Sequence, residues 1–437
     1  MFQFDCLVSA VAIIALITIT IAPANSQPPR RETIYDESKV PPYSLPDPLV
    51  CLDGTAVKDA KTWRNKRRPE LLKLCESEWF GKTPCGRPPN MRFVVRDEKK
   101  DARNGKATRL RIGVLFDGKE DGPQMEILVY LPNQVKRAPL ILALNFDGNY
   151  TTTDETDIPL PKHWVNGIGA DKPVDNQPAE ILRGGLAHSW QYDYALEHGF
   201  GIATIGYGEI EPDFDGGRKL GFRAKVAGFL DDEATRSAGD GMGAIGAWAW
   251  ALSRAMDYLS TNPRVDAKRV AVQGHSRLGK VALWAVAQDE RFAIAISNDS
   301  GAGGAALNKR IFGETVADLN RSFPHWFCPN FAKYNDHEEL MPIDSHELIA
   351  LIAPRPILIT SATEDRWADP KGEFLAGVAA DPVYRLLCHD GISQHEWPEA
   401  SHLLMGRIGY FLRPGIHDVT MEDWKAYIAF AEKWLRK

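Results

Sequence analysis

One stretch of the sequence decides the fold: Val270-Ala-Val-Gln-Gly274-His-Ser276-Arg-Leu-Gly279-Lys-Val-Ala-Leu-Trp284. An apolar, β-branched run leads into Gly-x-Ser-x-x-Gly, and an amphipathic helical pattern follows it. This strand-turn-helix order is typical of the sharp elbow on which an α/β-hydrolase presents its nucleophile, so Ser276 is the candidate nucleophile. The second glycine comes one position later than in the common Gly-x-Ser-x-Gly form. A Gly-Ser loop in which Ser276 is the N-cap of a helix is therefore the alternative.

Apolar runs and helical patterns alternate along the rest of the chain. Helices are predicted over residues 58–80 and 244–259. A third helix is predicted directly after Ser276, and a fourth at the end of the chain from Asp423. This alternation favours an α/β fold of the α/β-hydrolase type, with a mainly parallel central sheet sandwiched between helices in three layers. Catalytic residues should then follow the carboxyl ends of strands. The strands are predicted over residues 109–116, 125–131, 139–145, 201–205, 270–273, 293–297, 356–361 and 408–412.

The first 26 residues differ from the rest of the chain in composition. Residues 7–22 are almost wholly apolar, and Pro23-Ala-Asn-Ser26 supplies small residues before Gln27, as a signal-peptidase site requires. We therefore predict a signal peptide over residues 1–26 and a secreted or periplasmic protein. Because the first residues include Asp5 and no Lys or Arg, an uncleaved N-terminal anchor is the alternative. The predicted domains are then an N-terminal lead-in with a helical segment packed on the core, over residues 27–100, and an α/β-hydrolase catalytic domain over residues 101–437.

Composition limits the partners and cofactors. The 437 residues are 44% hydrophobic, enough for a sizeable core, and the net charge of −6 is spread along the chain. No nucleic acid and, after signal cleavage, no membrane is therefore expected as a partner, and we expect a monomer. Cleavage would remove Cys6 and leave five cysteines, so a mostly thiol set and one or two disulfides both remain open. The chain has no Cys-x-x-Cys, His-Glu-x-x-His or Walker-type pattern, and we predict neither a metal nor another cofactor.

A serine nucleophile needs a histidine base, and the base needs a carboxylate to fix its tautomer. In an α/β-hydrolase these residues follow the serine in the order acid, then histidine. His417 is the preferred base, because it lies in a loop between the predicted last strand and the final helix. His402 and His395, which precede that strand, are its rivals.

Two aspartates are placed to be the acid. Asp365 follows the strand over residues 356–361, which is the usual position before the terminal histidine, and Asp299 follows the strand over residues 293–297. Either could instead cap a helix or hold a loop. The choice between them stays open, with Asp365 favoured.

Four separate motifs resemble the glucuronoyl esterases of carbohydrate esterase family 15. The resemblance covers the chain from about Asn145 to its end, and the motifs occur in the family's order. Those enzymes cleave the ester between 4-O-methylglucuronate on xylan and a lignin alcohol. The motifs are Gly274-His-Ser-Arg-Leu-Gly-Lys280, Asn298-Asp-Ser-Gly-Ala-Gly-Gly-Ala305, Phe323-Pro-His-Trp-Phe327 and Asp365-Arg-Trp-Ala-Asp-Pro370.

The resemblance implies the nucleophile, the base and the acid positions again. Ser276 and His417 match the family's serine and histidine, while the acid of the family stands either at Asp365 or, as a Glu, at the position of Asp299. Arg277 would stabilise the oxyanion through its backbone N–H, with its guanidinium as a second donor.

The resemblance also implies a sugar site. Lys280 and Glu314 would bond ring hydroxyls, and Trp367 would offer a flat edge or its indole N–H. Without the resemblance, the first two would be a surface ion pair and the third a core-edge aromatic. The segment Asn145-Phe-Asp-Gly-Asn149 is either an oxyanion loop or a simple turn.

The function predicted from all of this is a secreted serine-type carbohydrate esterase. It would hydrolyse esters of (4-O-methyl-)glucuronic acid, as in cross-links between lignin and glucuronoxylan, through an acyl-enzyme on Ser276. Its partner would be a glucuronoxylan or lignin-carbohydrate ester. An acetyl-xylan esterase that uses the same triad is the main alternative, and a non-catalytic carbohydrate-binding homologue is the other.

Overall fold

The structure is a computed structural model that describes residues 31–84, 86–167, 174–226 and 237–435. The predicted signal peptide over residues 1–26 lies outside the described residues. The chain from Thr33 to Lys437 clusters into one compact unit. Within the part of the chain that the structure describes, no helix is both long and apolar enough to cross a membrane.

The described residues form a ten-stranded sheet with the spatial order β1-β2-β3-β5-β4-β6-β7-β8-β10-β9 in the strand labels that follow. The strands are β1 (Arg92–Ala102), β2 (Ala107–Leu115), β3 (Gln124–Pro132), β4 (Ala138–Asn145), β5 (Gly201–Gly206), β6 (Val265–His275), β7 (Ile294–Asn298), β8 (Ile357–Ala362), β9 (Leu403–Met405) and β10 (Ile408–Arg413). Six strands that are neighbours in the sheet run parallel to one another: β5, β4, β6, β7, β8 and β10. The outer pairs β1-β2, β2-β3, β3-β5 and β9-β10 are antiparallel. The prediction of a mainly parallel central sheet is confirmed.

Helices connect the parallel strands and cover both faces of the sheet. Within the described residues the α-helices are α1 (Ala60–Thr62), α2 (Arg68–Glu78), α3 (Tyr192–Glu197), α4 (Tyr207–Ile210), α5 (Phe222–Lys225), α6 (Ala244–Leu259), α7 (Arg277–Gln288), α8 (Val316–Ser322), α9 (Ser345–Ala350), α10 (Pro370–Cys388) and α11 (Met421–Leu435).

Alternate residues of the central strands face two separate hydrophobic clusters. Leu140 and Leu142 of β4 belong to the cluster that includes α2, α6, α7 and α10, whereas Ile141 belongs to the cluster that includes α3 and α11. Because both faces are covered, β4 is apolar from Ala138 to Leu144 instead of alternating with polar residues. The predicted three-layer arrangement is confirmed.

The predicted elements are found, and the differences have local causes. The helix over residues 58–80 is split into α1, a π-helical turn over Trp63–Arg67 and α2. Strand β1 was not predicted, because its run of charged residues is mostly exposed and carries no apolar signal. This strand crosses the predicted domain boundary at residue 100, so the sheet begins inside the predicted lead-in. The described cysteines Cys51, Cys75, Cys328 and Cys388 are free thiols, which favours the thiol alternative, and Cys85 lies outside the described residues.

Candidate active site

Ser276 lies at the sharp turn between β6 and α7, with φ 58° and ψ −129°. A positive φ costs a residue with a side chain on the order of 1–3 kcal/mol, so the surrounding structure must hold it there. Two glycines make the turn possible. A Cβ on Gly274 would lie 1.9 Å from the carbonyl oxygen of Leu278, and a Cβ on Gly279 would lie 2.9 Å from the Cβ of Ser300. The later position of the second glycine in this motif thus reflects the close packing of α7 on the loop after β7.

His417 lies in the loop between β10 and α11, and its Nδ1 is 2.5 Å from Oδ2 of Asp365. Asp365 follows β8, the parallel neighbour of β10. Because a carboxylate can only accept a hydrogen bond, Nδ1 of His417 carries the proton and donates it. This bond leaves Nε2 unprotonated in the neutral ring, which is the tautomer that a general base needs.

A second imidazole, His275, lies beside His417, with ring centroids 4.4 Å apart. Burial and the nearby His417 lower the pKa of His275 well below its usual range. His275 is therefore neutral at neutral pH and does not oppose a positive charge on His417. The rivals named from the sequence lie elsewhere: His402 is exposed just before β9, and Nε2 of His395 is 3.5 Å from Oδ2 of Asp381.

Asp299 is buried next to the pair of His417 and Asp365. One of its carboxylate oxygens lies within 4.8 Å of a carboxylate oxygen of Asp365 and a ring nitrogen of His417. Arg413 Nη2 is 3.8 Å from Oδ2 of Asp299, and among the described residues neither oxygen makes a hydrogen bond. Burial, reinforced by neighbouring carboxylates, raises the pKa of Asp299 well above its usual value. Asp299 is therefore close to His417 but not bonded to it, and its burial favours the protonated form more than in a solvated aspartate.

The same three side chains are the group of possible metal ligands found among the described residues. Two ligands of a tetrahedral zinc ion lie roughly 3.3 Å apart, given metal–ligand bonds of about 2.0 Å. The 2.5 Å between His417 Nδ1 and Asp365 Oδ2 is shorter and fits a shared proton. The geometry of this group therefore suits a hydrogen-bonded acid–base pair better than a metal centre.

Arg277, the first residue of α7, is held by the buried carboxylate of Asp213. Its Nη1 donates to Oδ2 of Asp213. Asp213 also accepts hydrogen bonds from Tyr207 Oη at 2.8 Å, His325 Nε2 at 2.7 Å and Trp326 Nε1 at 2.6 Å. Burial raises the pKa of Asp213, but the bonds and the charge of Arg277 outweigh it and lower the value to about 2. Asp213 is therefore an anion that fixes the guanidinium one residue after Ser276.

Lys280, Glu314 and Trp367 lie together. Lys280 Nζ donates to the carbonyl oxygen of Ser300 at 2.5 Å and lies 3.7 Å from Oε2 of Glu314. The side chain of Trp367 interacts with the Glu314 carboxylate and opposes the effect of burial on its pKa. The side chains of Lys280 and Glu314 are only 4% and 10% exposed, so they are not the surface ion pair that was the alternative. Burial lowers the pKa of Lys280 and raises that of Glu314.

Ser276, Arg277 and His417 line one cavity of about 460 Å³. Lys280, Glu314 and Trp367 are not among the residues that line it. Half of the other lining residues are apolar or aromatic: Leu144, Phe146, Leu186, Trp190, Leu278, Val419 and Trp424. The remainder are Gly185 and the polar Asn145, His188, Ser189, Gln273, His275 and Asp418. The serine and the histidine thus face a partly apolar space, while the buried polar cluster lies outside that space.

Asn145 and Asn149 stabilise the turn at the end of β4. The N–H of Gly148 donates to Oδ1 of Asn145 at 2.6 Å, and Nδ2 of Asn145 donates to Oδ1 of Asn149 at 3.0 Å. These bonds match the turn reading of this segment. Sequence analysis missed Asp213 and the cavity wall at Trp190, because neither lies in a pattern with a chemical signature.

Comparison with known proteins identifies the family. The curated carbohydrate esterase MZ0003, from an unknown prokaryotic organism, is 50% identical over 400 residues, which are 91% of each chain. A solved structure described as a promiscuous CE15 esterase from a marine bacterial metagenome is 48% identical, covers 92% of this chain and all of its own, and superposes with a TM-score of 0.85. The chain belongs to carbohydrate esterase family 15.

Proteins named as glucuronoyl esterases are also similar to this chain. The glucuronoyl esterase from Solibacter usitatus is 46% identical, with a TM-score of 0.84 over 91% of this chain and all of its own. The family model for glucuronyl esterases of fungi matches residues 237–388. A 4-O-methyl-glucuronoyl methylesterase from Wolfiporia cocos is 28% identical over 87% of this chain and 81% of its own length. The predictions of the family, of the α/β-hydrolase fold and of an esterase are confirmed.

Proposed function

We propose that this esterase hydrolyses esters of (4-O-methyl-)glucuronic acid through an acyl-enzyme on Ser276, with His417 as the base and Asp365 as its orienting carboxylate. The observation that carries the proposal is the cluster of Lys280, Glu314 and Trp367 beside the elbow. A carboxylic ester of a small acid needs no buried Lys–Glu pair, whereas a hydroxylated acyl group needs polar partners. The names of family members that act on glucuronoyl esters support the same substrate class.

The mechanism follows from the positions of these groups. Nε2 of His417 takes the hydroxyl proton of Ser276 as Oγ attacks the ester carbonyl carbon. The backbone N–H of Arg277 is one of the first N–H groups of α7, which have no partner within a helix, and it faces the developing oxyanion together with the guanidinium. The tetrahedral intermediate collapses, and the alcohol leaves with the proton from His417. Water then attacks the acyl-enzyme by the same path, which releases the uronic acid and restores Ser276.

The cavity wall supports a bulky, apolar alcohol. The side chains of Phe146, Leu186, Trp190 and Val419 surround the space that His417 faces, and the departing alcohol must take its proton from His417. An aromatic alcohol would bury its ring there, whereas methanol would leave most of the cavity to water. In this arrangement the sugar lies on the side of Lys280, and the alcohol lies in the cavity.

A broader ester range is the second candidate function, because the 48% identical marine structure is described as promiscuous. One experiment separates the two: hydrolysis of benzyl glucuronate, methyl glucuronate and acetylated xylan by the wild-type enzyme under the same conditions. We expect kcat/KM to be highest for benzyl glucuronate. Similar values for all three substrates would support the broader ester range, and a higher value for acetylated xylan would replace the proposal by an acetyl-xylan esterase.

Export is a separate proposal and rests on the sequence of residues 1–26. We propose that this segment is removed and that the mature enzyme is a secreted or periplasmic monomer. N-terminal sequencing of the enzyme from its natural source should begin at Gln27, and size-exclusion chromatography with light scattering should give the mass of one chain. A chain that begins at Met1 would indicate the uncleaved anchor.

Removing Lys280 or Glu314, the proposed partners of the sugar hydroxyls, should lower kcat/KM selectively on uronate esters. A buried group that loses its hydrogen-bond partner costs roughly 1–3 kcal/mol, so Glu314→Ala and Lys280→Ala should each lower kcat/KM on methyl glucuronate by about tenfold or more. The same variants should change kcat/KM on 4-nitrophenyl acetate by less than about twofold, because acetate carries no ring hydroxyls. A parallel loss on both substrates would mean that Lys280 and Glu314 stabilise the turn at Ser276 and do not bind the uronate.

Removing the anion beside Arg277 should lower kcat more than it raises KM. Asp213→Asn keeps the shape of the side chain but loses the charge that fixes the guanidinium, and one oxyanion donor is worth about 100-fold or more in kcat. We expect a loss of about tenfold to 100-fold on methyl glucuronate, since the backbone N–H remains. Asp215→Asn, at an exposed aspartate two residues away, is the control. Unchanged kcat in Asp213→Asn would remove the guanidinium from the mechanism.

A further inference from the structure

The N-terminal segment of residues 34–37 is bonded to the two loops that carry Glu314 and Trp367. The N–H of Gly313 donates to the carbonyl oxygen of Ile34 at 2.9 Å, and the N–H of Glu314 donates to the carbonyl oxygen of Trp367 at 2.9 Å. A Cβ on Gly313, where φ is 64°, would lie 2.4 Å from the Trp367 carbonyl oxygen. Three chain segments therefore meet closely at Glu314 and Trp367, two of the three residues of the proposed sugar site.

Charged side chains hold the same segment in place. Glu37 accepts hydrogen bonds from Arg310 and, at 3.0 Å, from Lys371 Nζ. Arg366, the residue before Trp367, donates to the carbonyl oxygen of Tyr35. The segment of residues 34–37 is thus fixed on the edge of the site.

Tyr35 presents an aromatic ring at this edge. Its side chain is 38% exposed, and that of Trp367 is 37% exposed. The Arg366 guanidinium lies 5.1 Å from the centre of the Tyr35 ring, and the edge-on ring of Phe312 lies 6.1 Å away. These contacts orient the ring, and Tyr35 as a whole residue remains exposed. Tyr35 is not among the residues that line the cavity at Ser276.

We propose that Tyr35 and Trp367 form a platform for the neutral polysaccharide chain that carries the glucuronoyl ester. This inference rests on the proposed function, and it extends the site from the uronate to the sugar units beyond it. Pyranose rings expose apolar C–H faces that pack on flat aromatic surfaces, and a tyrosine or tryptophan offers such a surface with a polar atom at its rim. The uronate ring would meet Trp367, and the next sugar units would meet Tyr35. Because Tyr35 lies outside the cavity, it should not contact the alcohol.

The test compares three methyl or benzyl esters on wild type and Tyr35→Ala. The substrates are methyl glucuronate, benzyl glucuronate and the methyl ester of glucuronate linked to xylotriose. We expect kcat/KM on the xylotriose-linked ester to fall about fivefold to tenfold through KM, and the values on both simple esters to stay within twofold. Tyr35→Phe, which keeps the ring, should retain the wild-type value. Tyr43→Ala is the matched control, because Tyr43 lies on the same lead-in and is 37% exposed.

Each other outcome overturns the platform. A parallel loss on all three esters would make Tyr35 a support of the Glu314 loop, and a loss confined to the benzyl ester would place Tyr35 against the alcohol. An equal loss in Tyr43→Ala would assign the effect to anchoring of the lead-in. Failure of the wild-type enzyme to cleave any uronate ester would contradict the proposed function instead. In that case, calorimetry with the xylotriose-linked uronic acid on Ser276→Ala with and without Tyr35→Ala still decides the platform, because tighter binding with Tyr35 supports it and equal binding refutes it.

Discussion

Ser276→Ala is expected to lower kcat on glucuronate esters by at least about 10⁴-fold, since nucleophile and base act as one unit and the loss of either removes most of the rate enhancement. The substitution removes the attacking oxygen from a turn that Gly274 and Gly279 shape, so the fold and the sugar site should remain. The measurements are steady-state kinetics on methyl glucuronate, thermal unfolding, and calorimetric binding of glucuronic acid. Residual activity above a few per cent would exclude Ser276 as the nucleophile.

The base provides the control for that result. His417→Ala should be as damaging as Ser276→Ala, and the double variant should be no worse than either, because the two losses are not additive. His402→Ala replaces the exposed histidine before β9 and should leave kcat unchanged. An active His417→Ala enzyme together with an inactive His402→Ala enzyme would reverse the assignment of the base.

The central part of the fold was predictable because its signals are local. Strand β4 is apolar from Ala138 to Leu144, which requires cover on both faces, and the Gly-x-Ser-x-x-Gly stretch allows a sharp turn. The antiparallel edge was not predictable to the same extent. Strand β1 is exposed along most of its length and carries charged residues that would suit a loop equally well.

Residues with a chemical signature near a strand end were also predictable. Ser276, Asp365 and His417 each follow a strand of the parallel core, so the topology alone brings them to one edge of the sheet. The role of Asp213, in contrast, was not predictable from the sequence. Asp213 lies 64 residues before Arg277, and its role comes from four hydrogen bonds that only the folded chain assembles.

The choice between Asp365 and Asp299 shows why position alone could not decide. Both follow neighbouring strands, and both lie within 4.8 Å of a ring nitrogen of His417. Their surroundings differ. Asp365 is bonded to His417, whereas burial beside other carboxylates makes ionisation of Asp299 unfavourable. Burial and neighbouring charge are tertiary properties, and no spacing in the sequence reports them.

Asp365→Asn is therefore expected to be far more damaging than Asp299→Asn. An amide at position 365 cannot accept the Nδ1 proton as a carboxylate does, and it stabilises the wrong tautomer of His417, so kcat should fall by about 10³- to 10⁴-fold. An amide at position 299 has nearly the shape of the carboxyl group, which makes no hydrogen bond to His417, so kcat should fall by less than about tenfold. The two Asp→Asn variants are matched, and methyl glucuronate serves for both.

The pH dependence of stability distinguishes a protonated Asp299 from an ionised Asp299 that contributes little to catalysis. A carboxyl whose pKa is raised by folding must keep its proton in the native state, so it lowers stability increasingly as pH rises above the ordinary value of 3.8. Asp299→Asn removes this penalty, and its melting temperature should rise relative to wild type as the pH increases above about 4. A pH-independent difference would contradict the raised pKa of Asp299. A larger loss of kcat in Asp299→Asn than in Asp365→Asn would assign the orienting carboxylate to Asp299.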